Sequence, residues 1–67
     1  MKETILIYFN NLTDELYAKL QQKWSDMSRN NSAVNFYTMN VKNDLSKITL
    51  MCNEAGLDIN HIEIQKI

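Results

Sequence analysis

At 67 residues, with seven Lys and Arg against eight Asp and Glu, the chain carries a formal net charge of −1. A balance so close to zero, with both signs interspersed, argues against a duplex-DNA binder, whose affinity rests on a basic surface facing the phosphates. It argues equally against a strongly acidic mimic of nucleic acid, while the lone Cys52 and lone His61 exclude an intramolecular disulfide and a Cys/His zinc cluster.

The length allows one domain, spanning residues 1–67, near the lower limit for a chain that folds without staples. Apolar burial and chain entropy come out close to balanced at this size, so a homodimer that hides more apolar surface is weighed equally with a monomer. Abundant Asn, Lys and Ile, with Gly56 the only glycine and no proline, imply an A/T-rich coding genome such as that of a low-GC bacterium, a phage or a mobile element.

The first element is a strand over Glu3 to Phe9. Ile5, Ile7 and Phe9 share one face and Leu6 and Tyr8 the other, which predicts a central strand covered on both sides. Its apolar run is far shorter than the roughly 20 residues a membrane helix needs. No basic segment precedes it and no small-residue cleavage site follows, so a signal peptide is not expected and the expected compartment is the cytoplasm.

Asn10-Asn11 breaks the strand, and Thr13 suits a helix N-cap, followed by Asp14 and Glu15 at the positive end of the dipole. Leu16, Leu20, Trp24 and Met27, with Tyr17 alongside, form the apolar stripe of a helix expected to end near Arg29-Asn30-Asn31, where asparagine can take the left-handed cap. Val34 to Val41 reads as a second strand. Asn43 or Asp44 caps a second helix with the inner stripe Leu45, Ile48, Cys52 and Ala55, and Gly56 terminates it with Leu57 making the accompanying apolar contact. The last strand, about Asn60 to Lys66, turns Ile62 and Ile64 inward and His61, Glu63 and Gln65 outward, in the manner of an edge.

The expected fold class is therefore α/β: a β-α-β-α-β chain with one layer of three mostly parallel strands and two helices. Right-handed connections and the two-sided first strand favour the order 2-1-3, with one helix on each face, while the last strand could run antiparallel.

Chemistry is harder to find. Cys52 falls on an apolar stripe away from any helix N-terminus and reads as a packed core thiol rather than a nucleophile. His61, near Glu63, reads as a surface histidine, and nothing in the sequence brings it to Cys52. The loops after the first two strands, Asn10-Asn11-Leu12-Thr13 and Lys42-Asn43-Asp44, lack the glycines that let backbone wrap a phosphate. Lys19, Lys23 and Arg29 read as the solvated face of the first helix, with Glu15 and Asp26 in pairing positions. No pair of carboxylates suggests a general acid and base, so no catalytic residue, metal or cofactor is assigned and the chain is not expected to be an enzyme.

Ile7-Tyr8-Phe9-Asn10-Asn11-Leu12, followed by a helix opening Thr-Asp-Glu-Leu, resembles the first-strand motif of the RNA recognition motif family. The stretch from Ala55-Gly56-Leu57 to Ile64 is loosely similar to that family's ending. The resemblance implies that Tyr8 stacks a base on an open sheet face. The family's second signature, rich in glycine and aromatics, is absent, and a three-strand reading leaves no strand to carry it. The order of elements also resembles the first half of the thioredoxin and glutaredoxin fold. No Cys-x-x-C opens the first helix and no proline precedes the last strand, so that resemblance implies a redox-inactive remnant.

These readings rank a small protein-binding module first: an adaptor, inhibitor or regulator that meets a protein partner or its own copy through the exposed edge of the last strand. Single-stranded RNA binding comes second, through Tyr8 and Tyr37, with His61 and Glu63 as further candidate binding residues. The ranking hangs on a first strand sheltered on both sides. Two helices on one side, with the tyrosines facing water, would put nucleic acid first.

Overall fold

The computed structural model describes residues 3–66. In chain order it has β1 (Glu3–Phe9), α1 (Asp14–Lys23), β2 (Ser28–Asn30), β3 (Ala33–Thr38), α2 (Val41–Glu54) and β4 (Ile59–Lys66). The strands form one sheet in the order β2-β3-β1-β4, and every neighbouring pair is antiparallel. This corrects the expected three-stranded, mostly parallel sheet of order 2-1-3.

The antiparallel order has a simple cause. A strand, a helix and a second strand do make crossover units: β1 and β2 run the same way, as do β3 and β4. The two units interleave, so that β3 lies between β1 and β2, and β1 lies between β3 and β4. Strands joined through a helix are thus parallel without being neighbours, the split β-α-β arrangement of ferredoxin-like domains. Two right-handed crossovers related by a half-turn about the sheet normal put both helices on the same face.

Burial shows that arrangement residue by residue. Ile5, Ile7 and Phe9 of β1 and Val34 and Phe36 of β3 form one buried cluster with Leu16 and Leu20 of α1 and with Ile48 and Cys52 of α2. The alternate residues of β1, Thr4, Leu6 and Tyr8, are only half-buried. The expectation that β1 is sheltered on both sides is overturned: one face carries both helices, and among the described residues no element covers the other. Each aliphatic side chain fully removed from water on the covered face contributes about 1.5–3 kcal/mol.

Local signals explain the element ends. Thr13 caps α1, its hydroxyl accepting from the Leu16 N–H at 3.2 Å. The helix stops at Trp24, earlier than the apolar stripe implied; Met27 reaches the core from a turn closed by its N–H on the Trp24 carbonyl. The segment expected to finish the helix is β2, and Arg29 lies on that strand rather than on α1. Asn31 does adopt left-handed backbone, with φ of 58°, but at the tip of the β2–β3 hairpin.

Strand β3 ends at Thr38, and Val41, expected to finish it, opens α2 instead. The cap is Asn40 rather than Asn43 or Asp44, its side chain accepting from the Asn43 N–H at 3.2 Å. Buried Thr38 donates its hydroxyl to the Asp44 carboxylate and accepts from the Asn40 N–H, which fixes the strand-to-helix corner. On the inner stripe Ile48 and Cys52 are buried and Leu45 is partly buried, while Ala55 is exposed. At the far end Gly56 takes φ of 71°, its N–H meeting the Asn53 carbonyl, and the Leu57 N–H meets the Cys52 carbonyl at 2.9 Å. That is a Schellman stop, and Leu57 packs back on the core.

Candidate functional site

The antiparallel register decides which side chains share the uncovered face. Along β1 these are Thr4, Leu6 and Tyr8. Opposite them lie Tyr37, Asn35 and Ala33 on β3, and Gln65, Glu63 and His61 on β4. Ser28 and Asn30 of β2 extend the face, paired with Asn35 and Ala33. All four residues singled out from the sequence, Tyr8, Tyr37, His61 and Glu63, therefore stand on one surface.

Their geometry is specific. The Tyr8 and His61 rings lie 5.7 Å apart between centroids, inclined by 30°, as an offset-stacked cross-strand pair. His61 Nε2 is 3.3 Å from a carboxylate oxygen of Glu63, two residues along the same strand and hence on the same side. Tyr37 is 53% exposed. From the strand repeat and spacing it stands about 14 Å from Tyr8, with Leu6 and Asn35 between them. The surface is an aromatic step, an apolar and amide floor, and a second aromatic.

Cys52 lies in the helix-side core, and burial raises its thiol above the ordinary range. The sheet separates it from His61, so the two do not meet. The candidate loops after the first two strands also fall apart: Asn10–Thr13 and the first turn of α2 lie at opposite ends of the sheet, because β1 and β3 are antiparallel. They cannot frame one crevice of the kind that parallel sheets offer. A cleft of about 440 Å³ between the helices is lined by Glu15, Lys19, Met51 and Glu54 among others, with no histidine or thiol. Among the described residues no group of three His, Cys, Asp or Glu side chains could hold a metal ion, and no helix is long and apolar enough to cross a membrane.

Sequence reasoning missed Arg29, which points to the helix side opposite the recognition residues. Its guanidinium donates to the Asp14 carboxylate, to the Leu12 carbonyl at 3.1 Å and to the Asn31 carbonyl at 2.8 Å, and lies 5.7 Å from the centroid of the Tyr17 ring. It ties the hairpin to the start of α1 and so braces the sheet from behind. Only the existence of β2 reveals this role.

Comparison with protein families, with curated proteins and with solved structures finds no match to this chain.

Proposed function

We propose that this chain is a small non-enzymatic binding module whose uncovered sheet face takes up unpaired bases of single-stranded RNA. The observation that carries the reading is the Tyr8–His61 stack beside an exposed Tyr37 on a face that neither helix covers. Every base has a π-face, and an aromatic platform is worth about 1–3 kcal/mol per stacked base. Asn35, Ser28 and Asn30 stand beside the rings and offer donors and acceptors to base edges. The resemblance of Ile7 to Leu12 to the first-strand motif of RNA recognition motifs supports the same reading, since it places Tyr8 at the stacking position. A departure stands beside it: small Ala33, not an aromatic, is opposite Tyr8 on β3.

A second reading, a protein partner on the same face, is favoured by the charge there. On β1, β3 and the described side chains of β4, the uncovered face carries His61 and Glu63 and no lysine or arginine. Phosphates would thus go largely unneutralised, and Glu63 would repel them.

The test is a titration of labelled single-stranded oligoribonucleotides, compared with duplex RNA of the same sequence, against wild type, Tyr8→Ala and Tyr37→Ala. The reading expects the single strand to be preferred and each variant to lose about five- to a hundredfold in affinity. Unchanged affinity in Tyr8→Ala removes the RNA reading. No RNA binding together with a stoichiometric protein partner lost in Tyr37→Ala establishes the second.

A further inference from the structure

Among the described residues the outer edge of β4 is the one long strand edge without a neighbour. The opposite edge, β2, is three residues long, which by itself blunts pairing. Strand β4 runs for eight residues without proline, and its only irregularity is at its start, where the register shifts between Tyr8 and Phe9. On the helix side of this edge Ile64 is 46% exposed, so no helix shields it.

We infer that β4 pairs antiparallel with β4 of a second copy, about a two-fold axis at Ile62, to give a continuous eight-stranded sheet. A two-fold axis normal to the sheet keeps the faces matched and must pass through one residue, and near the middle of β4 the choices are His61, Ile62 and Glu63. Centring on Glu63 sets two carboxylates directly opposite each other, which is destabilising. Centring on His61 opposes two histidines and leaves Ile64 to Lys66 unpaired.

Centring on Ile62 has neither fault. His61 faces the partner's Glu63, and Glu63 faces the partner's His61, so each imidazole meets a carboxylate that can accept a hydrogen bond from its ring N–H, and no two carboxylates are opposed. Ile62 meets its own copy on the helix side, with Ile64 diagonal to the partner's Ile62. On the uncovered face the two Tyr8–His61 stacks come together on either side of the axis. Each tyrosine lies three strand spacings across and two residues along from its counterpart, about 16 Å away. The site described above is doubled into one surface. The pairing stands on the open edge and on the order of its side chains, and is independent of what that face binds.

Disulfide trapping reads the register. With the axis at Ile62, residue 61 directly faces residue 63 of the other copy, within the span a disulfide bridges. Residue 61 lies diagonal to 61 and 63 diagonal to 63, at about 7–8 Å, which is too far. His61→Cys and Glu63→Cys are prepared separately, oxidised alone and mixed, and free thiols are alkylated before denaturation so that buried Cys52 stays out of the reaction. The inference expects a cross-linked heterodimer in the mixture and little in either variant alone. Sedimentation should show a wild-type dimer that His61→Glu weakens about tenfold. Self-linking of Glu63→Cys or of His61→Cys overturns the register, and a strictly monomeric wild type with no cross-link in the mixture overturns the pairing itself.

Discussion

Tyr8 and His61 face each other across β1 and β4 with ring centroids 5.7 Å apart, on the side of the sheet away from both helices. Core packing does not require that pair, because the buried cluster is built from the alternate β1 residues Ile5, Ile7 and Phe9, with Ile48 of α2, on the other side. Aromatics spared from the core and held rigid on a sheet are suited to recognition, and the expectations below follow from that division of labour.

The RNA interaction should be nearly insensitive to salt. Few cations stand on the uncovered face, so few counterions are released, and the slope of log affinity against log salt is about −0.7 per neutralised phosphate. A titration series in increasing KCl should give a slope shallower than about −1.5. A steep slope would mean that the lysines of the helix side hold the phosphates.

Arg29→Ala should destabilise the fold by about 1–2 kcal/mol, read from urea unfolding, because it removes hydrogen bonds to two backbone carbonyls and the contact with Tyr17. Asp14→Ala should stay close to wild type. Its carboxylate is 97% exposed against 28% for Arg29, and a pair so open to water adds little. Equal losses in the two variants would place the clasp in the ion pair instead.

Gly56→Ala should cost about 1 kcal/mol although a methyl group there meets nothing within 4 Å. The cost is backbone alone, since φ of 71° disfavours any residue with a Cβ. Gly56→Asn should recover part of it, and a neutral Gly56→Ala would mean that the Schellman stop is not maintained.

Burial raises the Cys52 thiol above its ordinary value near 9.0. The unfolded chain therefore releases this proton at lower pH than the native one. Above about pH 9 the unfolded state binds fewer protons, and stability falls as pH rises. Cys52→Ala should flatten that alkaline loss, and wild-type thiol labelling at neutral pH should be slow until denaturant is added. Fast labelling of the native protein would contradict a buried, inert sulfur.

Much of the architecture was written where periodicity is strong. Strand β1, the start of α1 at Thr13, the Ile48–Cys52 stripe, the stop at Gly56 and the edge position of β4 all follow from spacing and capping. Strand β2 was not legible, because Ser28-Arg29-Asn30 is polar throughout and too short to alternate, and Asn31-Ser32 lacks the glycine that marks most tight hairpins. Missing it hid the interleaving of the two crossover units and made the sheet look parallel. The site residues were visible as types, but not their common face. Leu6 and Tyr8 are apolar whether a helix covers them or a ligand does, so alternation alone could not tell a sheltered strand from a recognition surface.

Chemical-shift mapping of the labelled protein with a short single-stranded oligoribonucleotide tests most directly whether the uncovered face is the place of binding. The expected result is perturbation of Leu6, Tyr8, Asn35, Tyr37 and His61, with the amides of α1 and α2 unmoved. Shifts concentrated on the helices, or none at saturating RNA, would contradict the account.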